Sequence, residues 1–124
     1  MQIAEERGIL AFGQASDMKK FGPNAQLTSI IDDWAPYYIA RVQAAMDGTW
    51  KSQDTWDGIK EGMVAMADFS DKIPTDVQAM AQQAVDDIVA GKRHSFTAPN
   101  NKQDGTPWLK CGETASDKEL ASMN

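Results

Sequence analysis

Two short stretches of this chain carry side chains that a solute could use. Residues 11 to 18 read AFGQASDM, an apolar lead that ends at Gly13 and passes through Ser16 to Asp17. Residues 32 to 34 are Asp32-Asp33-Trp34, a pair of acids beside a flat aromatic surface. An ionised carboxylate accepts hydrogen bonds from a sugar hydroxyl or a ring N–H, and such charge-assisted bonds are stronger than neutral ones. An indole face stacks on a planar base while a neighbouring carboxylate takes its amino or ring N–H protons. Both stretches also have a plainer reading. Asp17 is a turn residue if it bonds its own backbone. Asp32 or Asp33 caps the following helix, with Trp34 in the core. Residue type alone favours the turn for Asp17; its position after a buried strand raises the ligand reading, because ligands of open α/β sheets gather beyond the carboxyl ends of the strands.

Catalytic chemistry has no comparable set of residues. His94 is the only histidine and falls in a loop-like stretch, so no Ser/His/Asp arrangement exists. Neither a G-x-x-x-x-G-K-[ST] nor a G-x-G-x-x-G phosphate loop occurs. Cys111 is the single cysteine, which excludes an internal disulfide, and one thiol with one imidazole makes no metal site. No cofactor is expected, and the chain reads as a binder rather than an enzyme.

These residues need strands and helices to hold them. Gly8 to Gly13 (GILAFG) reads as a short buried strand of the parallel kind, and Gln26 to Ile31 (QLTSII) as a second. A helix then carries Trp34, Tyr38, Val42, Ala45 and Met46 as its apolar stripe, with Pro36 in its first turn and Gly48 past its end. Tyr37 and Tyr38 read as packing residues with wet hydroxyls. Residues 49 to 61 read as a partly exposed connection or edge strand whose Trp50 and Trp56 are structural anchors, as is Trp108. Gly62 to Ala67 reads as a third strand, Gly62 serving close backbone approach or a turn. After Pro74, Thr75 and Gln78 form a capping-box pattern, and Val77, Met80, Ala81, Ala84, Val85 and Ile88 form a buried stripe that Gly91 closes. Asp104-Gly105 predicts a small hairpin with Trp108 and Leu109 on its second arm. Ser116 and Glu119 form a second capping box. Met1 to Arg7 resembles the tail of a helix already under way. The fold class expected is α/β.

The composition, 42% hydrophobic and 24% charged over 124 residues, is that of one modest globular domain. A net charge of −6 and scattered basic residues exclude a nucleic-acid partner, since no basic face can release phosphate counterions. No apolar run reaches the roughly 20 residues of a membrane helix, and no signal peptide opens the chain.

In order and with similar spacings, AFGQASDM, LTSIIDDWAPYYI, GTWKSQDTWDGIKEGMV and the SDKELASMN ending resemble the C-terminal part of the basic membrane protein (BMP) family, solute-binding proteins of ABC importers whose known members bind purine bases or nucleosides. The family's strand-end motif is close to G-x-D-S-D-Q. Here Gly13, Ser16 and Asp17 match, while Ala15 and Met18 do not. The family's T-S-x-x-K segment stands here as Thr28-Ser29-Ile30-Ile31-Asp32, with an acceptor in place of a cationic donor. The resemblance implies that Asp17, Ser16, Trp34, Asp32 and Gly13 bind ligand, and the Lys-to-Asp departure favours adenine. It implies a type I periplasmic-binding-protein-like lobe, here partial: residues 1–124 form a single incomplete domain of a two-lobed receptor, short buried strands alternating with helices plus a C-terminal hairpin. Its partners are then a purine or nucleoside and an ABC importer permease, with a homodimer through exposed surface of the truncated lobe. The full-length parent is expected to be periplasmic or membrane-anchored outside the cytoplasm. The competing expectation is a small self-associating interaction protein that binds no solute.

Overall fold

Parallel and antiparallel pairing meet on one central strand. The computed structural model describes residues 1–122, so Met123 and Asn124 of the expected ending lie outside the described residues. Elements run α1 (Gln2–Arg7), β1 (Ala11–Gly13), a 3-10 turn (Lys19–Phe21), β2 (Gln26–Asp32), α2 (Ala35–Met46), β3 (Val64–Met66), α3 (Thr75–Val89) and α4 (Asp117–Ala121). The sheet order is β1-β2-β3. β1 runs parallel to β2, with Ala11 opposite Gln26 and Gly13 opposite Ser29, an interval one residue longer on β2. β3 runs antiparallel, pairing Ile30 with Met66, Ile31 with Ala65 and Asp32 with Val64. The α/β class expected from the sequence is the class found.

The core is built from small and polar side chains. Ala4, Ala25, Met63, Ala67, Leu109 and Ala115 are buried together with Gln26, Thr28 and Ser29 of β2. Each buried polar group on β2 has a partner, as burial requires. Thr28 Oγ1 donates to the Ala67 carbonyl at 2.7 Å, and Ser29 Oγ donates to Gln26 Oε1 at 2.9 Å. Beyond β3 the pairing continues through Ala67 N–H to Ser29 O (2.9 Å) and Ser70 N–H to Leu27 O (2.7 Å). Glu5 ties α1 to the segment entering β2, its carboxylate accepting from Asn24 N–H (2.9 Å), Asn24 Nδ2 (2.6 Å) and Ala25 N–H (2.7 Å). Lys72 Nζ donates to the Asn24 carbonyl from the other side.

Several expectations need correction. The first strand is Ala11–Gly13 alone, because Gly8 takes a left-handed conformation (φ 64°) that ends α1. Ile9, Leu10 and Phe12 are exposed, not buried, since no described element covers them. The Thr75–Gln78 capping box does not form: α3 starts at Thr75 itself, Pro74 holds the cap position, and Gln78 Nε2 instead donates to the Ile73 carbonyl at 2.8 Å. Neither α2 nor α3 contains a fully buried residue. Along α3 Val77 and Met80 are exposed, and the rest of the stripe is half-buried. On α2, Tyr38, Val42 and Met46 lie outside, Met46 at 77% exposure. Residues 49–61 form no strand, and Trp50 and Trp56 are exposed rather than anchored.

Other readings hold. Pro36 sits in the first turn of α2. Gly62 (φ 81°) has open space around it and serves a turn. The hairpin turns at Gly105, with Lys102 N–H donating to Thr106 O at 2.8 Å and Trp108 N–H to Asn100 O at 2.9 Å. Leu109 is buried beyond it. Ser116 and Glu119 make the reciprocal capping box at the start of α4.

The accessible surface, 9521 Å², exceeds the roughly 6,600 Å² that the size scaling of compact monomers gives for a chain of this mass. The fold thus leaves faces uncovered that a chain of this length ordinarily buries.

The tightest approach is between the two parallel strands. A Cβ built on Gly13 would stand 1.9 Å from Ser29 Oγ and 2.9 Å from Ser29 Cβ. Gly13→Ala must push β1 off β2, and overpacking of this kind costs about 1–3 kcal/mol. Urea denaturation should show a lower midpoint for Gly13→Ala, and the companion change Ser29→Gly should recover part of it.

Candidate functional site

The loop leaving β1 folds back on β2 through a chain of polar contacts. Ala15 takes a positive φ of 69°, uncommon for a residue with a side chain. Its carbonyl accepts the Asp32 N–H at 3.0 Å, which holds the loop against the end of β2. The chain then reverses. Ser16 Oγ donates to Met18 Sδ at 3.5 Å, and Met18 N–H donates to Ser29 Oγ at 3.4 Å.

Asp17 is exposed and performs the turn its residue type suggests, its Oδ1 accepting the Lys19 N–H at 2.9 Å. The same oxygen also accepts from Gln26 Nε2 at 2.8 Å, a contact between elements that a self-contained turn does not need. Among the described residues no donor is recorded on Oδ2. The Gln26 amide, with the Lys19 N–H next, holds the Asp17 carboxyl below its usual range. Glu5 is likewise held low, first by the Asn24 side chain.

The second constellation lies where β2 runs out. Asp32 is the last residue of the strand, exposed and opposite Val64. Asp33 N–H donates to the Met63 carbonyl at 2.8 Å, and Asp33 Oδ1 accepts the Ala35 N–H at 3.1 Å. So Asp33, not Asp32, serves the first turn of α2, while Trp34 occupies the cap position itself. Trp34 is not a core residue: it is 49% exposed, meeting Tyr37 edge-on at 5.8 Å and Tyr38 at 6.1 Å. Arg41 lies over the Tyr37 ring at 5.3 Å.

The structure therefore brings Gly13, Ser16, Asp17 and Ser29 into one cluster and places Asp32 and Trp34 at the strand's end. The Ala15–Asp32 backbone bond links the two groups, and among the described residues no side-chain contact joins Asp17 to Asp32 or Trp34. Gly13 serves strand packing, since Ser29 fills the space where its side chain would stand. Sequence reasoning missed Gln26 and Glu5. The signal for Gln26 was a polar side chain opening an apolar run. Glu5 clamps residues nearly twenty positions away, which no local pattern reveals. A cleft of about 840 Å³ lies elsewhere, among Phe96, Lys102, Trp108 and Glu119. A smaller one of about 220 Å³ borders Lys19, Asn24, Gln26 and Lys72. The chemistry rather than the volume directs attention to the strand ends, where the carboxylates of Asp17 and Asp32 and the open indole face of Trp34 lie. No group of His, Cys, Asp and Glu among the described residues could hold a metal ion.

The family comparison and a curated relative point to one family. The Bmp family model, described as ABC transporter substrate-binding protein PnrA-like, matches residues 1–95. A purine-binding protein of Brucella abortus is 53% identical over 124 residues, covering 100% of this chain and 35% of that protein. A putative ABC transporter glucose-binding protein, TsgA13, of Haloferax volcanii is 24% identical over 91 residues, or 70% of this chain and 23% of that protein. Among solved structures, the crystal structure of a transcriptional activator of the comK gene from Bacillus halodurans superposes with a TM-score of 0.65 at 20% identity, covering 74% of this chain and 32% of that one. That last likeness is one of fold alone. The chain spans about a third or less of the length of these relatives.

The polar cluster has a pH signature. A carboxyl whose folded pKa is depressed stabilises the fold above its unfolded pKa, and that stabilisation is lost as pH falls through the folded value. Thermal midpoints should therefore fall on acidification below the ordinary Asp range. In Asp17→Asn, which keeps an acceptor oxygen for Lys19 and Gln26, the fall should be shallower. Identical acid profiles for wild type and Asp17→Asn would show that Asp17 contributes nothing to it.

Proposed function

We propose, from the premise that this chain belongs to the Bmp family of PnrA-like ABC-transporter substrate-binding proteins, that it binds a purine base or nucleoside, adenine favoured, as part of the solute-binding component of an importer. The observation that carries this reading is the 53% identity with a purine-binding protein along the whole chain. The geometry supplies the groups. Asp17 offers an ionised acceptor at the end of a parallel strand, with Ser16 beside it. Trp34 presents an open indole face for a planar base, and Asp32 next to it accepts from an exocyclic amino group rather than facing a carbonyl oxygen. The work is binding and closure, not chemistry, and no cofactor takes part.

On this reading residues 1–124 are one incomplete domain that forms one wall of an inter-lobe cleft, and the opposite wall comes from the part of its relatives that this chain does not align with. The surface left open by the fold supports that division, as does the family's architecture. The partner that receives the solute is an ABC importer permease, and the site of action is outside the cytoplasmic membrane. A self-associating protein without solute binding is the competing reading, favoured by the exposure of Phe12, Tyr38, Val42 and Met46.

A thermal-shift series with adenine, adenosine and guanosine separates the two. A ligand at a hundred times its dissociation constant adds about 2.7 kcal/mol of stability, so purines should raise the midpoint of this chain, and adenine should raise it most where the second wall of the cleft is also present. Asp17→Ala should weaken adenine binding by about tenfold in calorimetry, the scale expected for a lost charged hydrogen-bond partner. No shift at millimolar purine, together with a dimer by light scattering, would select the self-associating reading.

A further inference from the structure

We infer that Gln26 is a positioning residue for the proposed ligand acceptor: its buried carboxamide, oriented by the Ser29 hydroxyl, engages Oδ1 of Asp17 and leaves the other carboxylate oxygen to the solute. The inference rests on the reading of Asp17 as a ligand group.

Gln26 opens β2 yet is only 4% exposed. A strand position buried to that degree is ordinarily apolar, and a buried polar side chain calls for a physical reason. Both ends of this amide are used. Its Oε1 accepts from Ser29 Oγ at 2.9 Å, and its Nε2 donates to Asp17 Oδ1 at 2.8 Å. The polarity has one solution. Reversing the amide would set Oε1, an acceptor, against the Asp17 carboxylate, which also accepts. Ser29 is itself fixed: it is fully buried, its oxygen takes the Met18 N–H at 3.4 Å, and β1 closes over it at Gly13. Its proton is thereby directed to Gln26. The chain of contacts runs from the strand interface to an exposed carboxylate and ends there.

The consequence falls on Asp17. With Oδ1 committed to Gln26 and to the Lys19 N–H, the carboxylate cannot rotate freely. A group held this way presents its remaining acceptor in a set direction without ordering it when ligand arrives. Among the described residues Lys19 is the charged side chain whose field lowers the carboxyl, and it acts less than the Gln26 amide, which is the first cause of its acidity.

The test reads the carboxylate directly. The Asp17 carboxyl carbon is followed by NMR through an acid titration in the whole chain, for wild type, Gln26→Leu and Ser29→Ala. The Asp17 midpoint should rise toward the ordinary range in Gln26→Leu and move the same way, by less, in Ser29→Ala. An unmoved midpoint in folded Gln26→Leu overturns the inference. Should Gln26→Leu not fold, an unmoved midpoint in Ser29→Ala overturns it instead. Adenine calorimetry over the same pH range supplies the second readout. Gln26→Leu should weaken binding about tenfold, and the acid limb of binding should move to higher pH, which a purely structural role for Gln26 would not produce. Asp17→Ala with undiminished adenine affinity overturns the functional reading itself. Asp17→Ala weakened beside an unaffected Gln26→Leu overturns the role of Gln26 alone.

Discussion

The closeness of β1 to β2 at Gly13 governs the rest of this structure. With no side chain on Gly13, the Ser29 hydroxyl occupies the gap between the strands. A hydroxyl placed there must be satisfied, because an unpaired buried polar group costs more than a hydrogen bond returns. Gln26 and the Met18 N–H satisfy it, and Gln26 in turn requires an acceptor, which Asp17 supplies. The order of events is physical rather than functional: one missing Cβ admits one hydroxyl, and the hydroxyl dictates a row of polar partners that reaches the surface. Such a network is rigid when every member is paired and a liability when one is removed. It braces a strand-end loop that contains an alanine at positive φ.

The same economy of the core explains the outside of the molecule. The buried residues are small or polar, so the large apolar side chains are spent elsewhere, on α2, on α3 and in the 49–61 connection. The helical spacing that places Trp34, Tyr38, Val42 and Met46 on one side of α2 is real, yet that side meets no layer among the described residues. Amphipathic spacing records what a helix is suited to pack against, and says nothing of whether the packing partner is supplied by the same chain.

This is also where reading from the sequence succeeded and where it stopped. Element type was legible wherever the signal is local. Strand β2, Pro36 in the first turn of α2, the Asp104-Gly105 turn and the Ser116–Glu119 box all follow from neighbours within four residues. Burial was not, because burial is decided by layers distant in sequence or outside the chain. Gly8 was misread as the opening of a strand because a bounding glycine looks the same whether it begins one element or ends another; only its φ tells. The Thr75 box failed for a related reason, since Pro74 in extended backbone takes the cap position first and shifts the helix start. Of the candidate site, the two acidic stretches were visible as residue types at strand ends. The amide that joins one of them to the sheet was not, because a glutamine in an apolar run carries no mark of what its side chain will meet.

On the proposed reading, the acceptor character of Asp32 decides a preference only under a condition that one wall cannot meet. In open water an amino group or a carbonyl oxygen of a purine exchanges solvent for protein at a net gain near 1 kcal/mol or less, and an exposed carboxylate discriminates weakly. Once a second surface excludes water, a carbonyl oxygen set against Asp32 would be both desolvated and repelled, whereas an amino group would be paired. Discrimination then comes from the penalty imposed on the wrong base more than from the bond made to the right one. Orientation must precede closure for this to work, because a carboxylate free to swing would relieve the mismatch. Asp17 meets this condition through the amide of Gln26, whereas Asp32 is held only by its backbone N–H to the Ala15 carbonyl, so its carboxylate takes its direction when the second wall closes. The Asp17 acceptor is thus anchored by the sheet before any ligand arrives, which ties its orientation to the strand contact at Gly13 and Ser29.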